Sequence, residues 1–383
     1  MSPAHEQGLA SPSHGKDHHR RLLRRQSRVR GMMLGLALGD TLGGARGRLP
    51  DAGPLRAGVS TQLACFTAEG VIRAQVRGNH KGICYAPGVV LHAYCRWAYL
   101  QGIETDRMRR RWNKGGAPSW PDGWLARVPA LAERRGSAPA TVTALSRVEE
   151  GEERMAGASR GCHALTRGLP IAVTGPQGIA LSGAVAALTH GDGAAQSAAA
   201  HAALLAHHCL TATGDAGPPG PSLHSGTSVR EALHAGVTAL PSAGLPLTGD
   251  EHGRIAAALR NALDDPADVR RLARLAPDAT APAALLGGVY AAASCPDRAG
   301  IRAALEFAAQ APDGASVACV AGALLGAVHG VEALPVDLAG RHELAWVVDT
   351  LARDLVLELD DSPSGSEYVR AWDPHWWDRY PGW

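Results

Sequence analysis

Residues 31–43 read Gly31-Met32-Met33-Leu34-Gly35-Leu36-Ala37-Leu38-Gly39-Asp40-Thr41-Leu42-Gly43. Apolar residues follow one another closely here, as in a helix buried on most sides rather than along one stripe. Gly43, Gly44, Gly47, Pro50 and Pro54 then break the pattern into a long loop. Beyond it, residues 61–76 and 89–100 read as helices and 113–123 as a turn-rich connector. The stretch 181–212 is strongly helical, with a break at Gly191-Asp192-Gly193. Helices are expected again at 228–239, 251–264, 266–275, 281–294, 297–310, 316–328 and 341–358. Few stretches alternate with period two, so the fold class is all-α.

Composition supports that class. Hydrophobic residues make up 45% of the chain but aromatics only 4%, so the apolar bulk is Ala, Leu and Val. Ala and Leu lead the helix-propensity ranking, and small side chains let helices approach closely. The formal net charge is +2, so no overall field draws the protein to polyanions and nucleic acid is not an expected partner. The seven cysteines are scattered, without a CxxC pair, which argues against a disulfide framework or a zinc site. Reduced thiols in a cytoplasm are the expectation. No apolar run reaches membrane-spanning length. Basic residues 20–30 before Met32–Leu38 imitate a signal peptide, but Asp40 cuts the apolar stretch short.

The division expected is a polar, basic tail over 1–27, a helical domain over 28–358 and a Trp-rich tail over 359–383. Arg20, Arg21, Arg24, Arg25, Arg28 and Arg30 read as a solvated, mobile run. The C-terminal tail holds Trp372, Trp376, Trp377 and Trp383. Large aromatics are rarely left bare in water, so this tail is expected to fold back on its own domain; the alternative is a strap that binds a partner.

Four segments, in order, carry a resemblance. They are Gly31–Gly43, a GxxxGxAxGDxLG pattern; Thr61–Gly70; Ser159–Pro170, followed by Leu188-Thr189-His190-Gly191; and Asp313–Pro335. Together they resemble the ADP-ribosylglycohydrolase family (dinitrogenase-reductase-activating glycohydrolase-like). The resemblance implies an all-helical fold and a two-magnesium site that positions an ADP-ribosyl group for hydrolysis. Magnesium wants oxygen ligands, several of them carboxylates.

The motifs of this chain depart from that pattern. The family's glutamate after the GD aspartate falls on Gly47, between Arg46 and Arg48. The TDDT-like motif falls on Gly58-Val59-Ser60-Thr61, without either carboxylate. GGDxD[ST] becomes Ala311-Pro312-Asp313-Gly314-Ala315-Ser316, which keeps one Asp. The metal set implied is therefore Asp313 with Ser316, Thr61 and Ser60, sufficient for no magnesium or one weakly bound ion. Asp40, Asp51 and Asp192 could substitute only through a rearranged loop; Asp40 reads instead as a helix-end hydrogen-bonding partner. The ligand-binding set implied is Ser159, Gly161, Cys162, His163, Arg167 and His190. Arg167 reads equally as a buried structural arginine, and His190 equally as a satisfied helix-end histidine. Cys162 reads as an inert thiol, and His163 intrudes where the family pattern has Gly.

The function expected is a catalytically impaired pseudoenzyme that keeps affinity for ADP-ribose or a related nucleotide. Two alternatives stand beside it: an active hydrolase of ADP-ribosylated side chains with a rebuilt one-metal or metal-free site, and a scaffold that works through its aromatic tail. The expected partners are ADP-ribose or an ADP-ribosylated protein, and the protein is expected to be monomeric.

Overall fold

The structure, a computed structural model, describes residues 12–113, 120–148, 157–212, 228–239 and 250–382, the side chains of 12–18 excepted. In chain order the helices begin with α1 (Pro12–Gly44), α2 (Val59–Lys81), α3 (Ala86–Leu100), α4 (Thr105–Trp112), α5 (Pro129–Ala132) and α6 (Pro139–Ser146). Next come α7 (His163–Thr166), α8 (Pro176–Ala187), α9 (Gly193–Thr211), α10 (Val229–Ala239), α11 (Glu251–Asp264) and α12 (Val269–Leu275). The chain closes with α13 (Ala281–Ser294), α14 (Ile301–Ala308), α15 (Gly314–His329), α16 (Val336–Ala339), α17 (Ala345–Asp360) and α18 (Trp376–Arg379). Among the described residues there is no strand, only the isolated bridges Leu55–His342 and Gly161–Thr280. The fold is all-α.

Small residues at one-turn spacing set its centre. Gly31, Gly35, Gly39 and Gly43 of α1 face the backbone carbonyls of Gly326, Gly322, Ala318 and Gly314 of α15. The two helices run antiparallel, and a Cβ at any of these α1 positions would overlap a carbonyl. Only hydrogen on the α-carbon permits so close an approach. Around this pair pack α13, α9 and α14 on the α15 side and α17 and α2 on the α1 side. Ala and Leu fill the gaps; every residue of α13 is buried.

The seam has a consequence for chemistry. It sets Asp40, near the end of α1, beside the start of α15, where Asp313 precedes the first turn. Asp313 lies close enough to raise the proton affinity of Asp40.

Two expected boundaries change. The helix does not start at Arg28; it runs back to Pro12, so residues 12–27 are not a disordered tail. Three arginines of the basic run are docked. Arg25 bonds Asp360 at 2.7 Å and the Val173 carbonyl at 3.1 Å, Arg28 donates to the Leu210 carbonyl, and Arg30 pairs with Asp349 at 2.5 Å. Fixed acceptors on α17 and α9 turn a basic run into a helix face. Residues 1–11 lie outside the described part.

At the other end α17 continues to Asp360, and the tail folds back on the domain. Trp376 and Tyr380 are buried, and Tyr380 Oη donates to Asp354, which also pairs with Arg379. His80 of α2 and Trp377 Nε1 both bond the Ser364 carbonyl. Trp372 is left 60% exposed; Trp383 lies outside the described residues.

Candidate functional site

A cleft of about 740 Å³ opens where the end of α1 and the starts of α2, α7 and α15 converge. Two of its walls are pinned by backbone pairing. The Gly161 loop is held against the segment before α13: Cys162 N–H donates to the Ala279 carbonyl at 3.0 Å, and Ala281 N–H to the Arg160 carbonyl at 2.8 Å. Ser159 Oγ accepts from Gly161 N–H within that turn. The loop after α1 is tied to the 341–343 segment through Leu55, and Glu343 accepts from Ala57 N–H.

Ser159, Gly161, Cys162, His163, His190, Ser60, Asp313 and Ser316 all line this cleft. Two residues of the expected set do not. Thr61 is buried behind the wall, with its N–H and Oγ1 both donating to Asp40 Oδ2 at 2.8 and 2.7 Å. Arg167 is fully buried, donating to Thr141 Oγ1, Thr189 Oγ1 and the Val185 carbonyl, with its guanidinium 4.3 Å from the Tyr94 ring centre. Of its two readings the structural one applies.

Arg167 nevertheless reaches the cleft at one remove. Thr189 Oγ1 accepts from Arg167 at 2.7 Å and lies 2.8 Å from His190 Nδ1. Burial, reinforced by Arg167, holds the His190 imidazole neutral, its pKa lowered to about 2. A threonine hydroxyl that donates to Nδ1 leaves the hydrogen on Nε2, beside Gly161; a hydrogen on Nδ1 is instead donated to the second lone pair of Thr189 Oγ1. His190 thus presents its Nε2 edge to the cleft, and it is also the satisfied helix-end residue that the sequence allowed.

The tautomer of His163 is determined. Its Nε2 sits 3.1 Å from the Ser137 carbonyl, which can only accept, so Nε2 carries the hydrogen. Burial lowers its pKa, so Nδ1 accepts from Ser60 Oγ at 3.2 Å, and Ser60 in turn accepts from Thr166 Oγ1 at 3.1 Å.

The cleft floor carries two carboxylates. Asp40 is buried with its pKa raised to about 6, since burial outweighs the hydrogen bonds from Thr61 and the Gly58 N–H. Asp313 Oδ2 accepts from Ser316 Oγ at 2.5 Å. Burial, with Asp313 next to it, pushes the Cys162 thiol far above its usual range, so this sulfur is no nucleophile. Among the described residues no group of three or more His, Cys, Asp or Glu side chains is placed to hold a metal ion. Asp51 faces solvent, and Asp192 caps α9 by accepting from Ala194 N–H.

Arg56, Arg135 and Ser137 also line the cleft, and sequence reasoning gave none of them a role. Arg135 is held by Glu133 and Glu343 at 2.8 and 3.0 Å. No local pattern marks these residues, because they come from loops that only the packed helices bring together. Asp40 did carry a signal, the GD pair. It holds the start of α2, as a helix-end partner should, but it also lines the cleft.

Among the described residues no helix is long and apolar enough to cross a membrane. The sequence pattern of the ADP-ribosylglycohydrolase family matches residues 21–364. A solved structure described as an ADP-ribosylglycohydrolase-related protein complex is similar with a TM-score of 0.52 and 23% identity, covering 87% of this chain and 98% of that one. At that identity the likeness concerns the fold alone. None of the curated proteins matches. With the matched pattern spanning most of the helices and every wall of the cleft, the chain belongs to the ADP-ribosylglycohydrolase family.

Proposed function

We propose that this protein binds ADP-ribose or a related nucleotide in the cleft, alone or on a modified protein, without hydrolysing it. The carrying observation is the state of the two floor carboxylates. Asp40 already accepts from Thr61 N–H and Thr61 Oγ1, and Asp313 accepts from Ser316. Two magnesium ions bring four positive charges and need several free carboxylate oxygens. These residues do not fit that pair. The ligand side of the cleft, with the Ser159 hydroxyl and the Nε2 edge of His190, has polar groups suited to phosphate or ribose oxygens. The same reading treats the protein as a cytoplasmic monomer with reduced thiols.

Titration of ADP-ribose into the purified protein, with and without magnesium, tests this. Binding with one affinity in both conditions is the expected result. Binding that appears only with magnesium, or release of ADP-ribose from modified arginine or serine, would overturn it.

One observation favours the hydrolase reading: Asp40 joins Asp313 on the cleft floor, and with its pKa near 6 could hold a proton close to neutrality. The same release assay decides between the two.

A further inference from the structure

We propose that the arginines around the cleft are a docking surface for an acidic polypeptide, so that the protein recognised here carries its ADP-ribosyl group among Asp and Glu residues. The inference rests on the nucleotide-binding reading above and names the partner of that same site.

Three loops that supply the cleft lining carry these cations. Arg46, Arg48 and Arg56 belong to the loop after α1, Arg134 to the loop before α6, and Arg160 to the Gly161 loop. Each stands next in sequence to a residue that lines the cleft, namely Ala45, Leu49, Leu55, Arg135 and Gly161. All five are exposed. Arg160 lies 3.7 Å from Asp192, but the guanidinium groups of Arg46, Arg48, Arg56 and Arg134 have no hydrogen bond or ion pair to any described residue. The carboxylates nearby are already used: Glu133 and Glu343 both hold Arg135, and Asp192 caps α9. Within the three loops only Asp51 is left to offset the four unpaired arginines.

A nucleotide in the cleft cannot satisfy this excess charge. Arg56 lines the cleft, but Arg46 and Arg48 stand outside its lining, and Arg134 lines only an adjoining pocket of about 380 Å³. What reaches them is whatever extends out of the cleft, which for a modified protein is the polypeptide that carries the nucleotide. Arginine meets a carboxylate through a planar fork of N–H donors, and a surface of one sign selects a partner of the other. Nucleic acid is the less suitable polyanion, since residues 44–57, 133–137 and 157–163 hold no Phe, Tyr or Trp on which bases could stack.

The turn that carries two of the arginines is fixed. Arg46 N–H donates to the Gly43 carbonyl at 3.0 Å and Arg48 N–H to the Ala45 carbonyl at 2.9 Å, with Arg46 at φ 51°. That left-handed conformation suits glycine better than a residue with a Cβ, so the arginine there is not a requirement of the turn.

The test is calorimetric titration of free ADP-ribose and of peptides ADP-ribosylated on one serine, flanked by Glu, Ser or Lys, into the full-length protein. Circular dichroism checks the folding of the variant. At about 0.1 M salt the Glu-flanked peptide should bind on the order of tenfold more tightly than the Ser-flanked one, and at about 1 M salt equally. Arg46→Glu combined with Arg48→Glu should shift the preference to the Lys-flanked peptide and leave the affinity for free ADP-ribose unchanged. Equal binding of Glu- and Ser-flanked peptides by wild type overturns the docking surface and leaves the nucleotide-binding reading standing; that comparison requires no variant. It is the result to expect if Glu149, Glu150, Glu152 and Glu153, outside the described residues, occupy the arginines instead. A folded double variant with the wild-type preference overturns the proposal equally, and an ADP-ribosylated oligonucleotide that binds more tightly than the Glu-flanked peptide overturns it in favour of nucleic acid. Failure of ADP-ribose to bind in any form removes the nucleotide-binding reading, and the docking of a modified protein with it.

Discussion

Gly35 of α1 and Gly322 of α15 face each other so closely that the position of each missing Cβ is taken by the carbonyl oxygen of the other. The contact is repeated at Gly31 with Gly326, so the seam is a property of the whole helix pair. It matters beyond packing because Asp40 and Asp313 sit at its cleft end.

Gly35→Ala and Gly322→Ala should therefore each destabilise the fold by about 1–3 kcal/mol, the usual cost of forcing atoms into a filled core. Gly44→Ala, at the end of the same helix with nothing near its Cβ position, should be neutral or raise stability by up to about 1 kcal/mol. Urea unfolding of the three variants measures this. Equal stability of Gly35→Ala and wild type would refute the close seam.

Asp313→Ala removes one carboxylate and leaves Ser316 Oγ only its longer bond, 3.3 Å, to the carbonyl of residue 313. The expected outcome is a folded protein, less stable by about 1 kcal/mol, with nucleotide affinity changed by less than about tenfold. Magnesium should alter binding neither before nor after the substitution. A magnesium-dependent activity that disappears in this variant would restore the metal reading.

Thr189→Val keeps the shape of residue 189 but breaks the relay from Arg167 to His190. If the hydroxyl donates to Nδ1 in the wild type, its removal takes away the group that keeps the hydrogen on Nε2. Nucleotide affinity should fall by roughly five- to tenfold, about the worth of one hydrogen bond. The ¹⁵N shifts of His190 should report a single Nε2–H tautomer in wild type and a mixture in the variant. Because its pKa is lowered to about 2, wild-type binding should show no inflection from this histidine between pH 5 and 8. A clear His190 titration in that range would contradict the assignment.

Glu358 supplies a pH dependence of stability. It is fully buried at the end of α17, accepts from Ser364 Oγ at 2.7 Å and Asn79 Nδ2 at 3.1 Å, and burial raises its pKa to about 7. A carboxyl whose pKa is higher folded than unfolded binds its proton more tightly in the native state. Stability is thus highest at low pH and falls as pH rises from the ordinary glutamate value to about 7, by roughly 3 kcal/mol at most. Glu358→Gln should remove that part of the slope. Denaturation curves of both proteins from pH 4.5 to 8 provide the comparison, and parallel slopes would exclude Glu358 as the source.

How much of this was legible beforehand differs from element to element. The helices at 281–294 and 251–264, the break at Gly191–Gly193 and the two glycine motifs could be read from spacing alone. A helix buried on most sides records its surroundings in each turn of its own sequence. The start of α1 could not be read so, since an arginine run looks solvated until Asp349 and Asp360 are set opposite it.

The candidate site divides in the same way. Its motif residues were visible, Gly161, His190 and Asp313 among them, because each sits in a short pattern next to a helix end. Their orientations were not. That Arg167 turns inward to Tyr94, that His163 crosses to Ser60 and Ser137, and that Arg135 faces the same cleft as Asp40 are outcomes of packing between segments far apart in the chain. The sequence by itself determined which stretches are helical and which small residues allow two of them to touch, since both are written in local spacing. Only the tertiary structure decided which polar side chains meet, because that depends on how distant helices are set against one another and leaves no mark on the spacing of either.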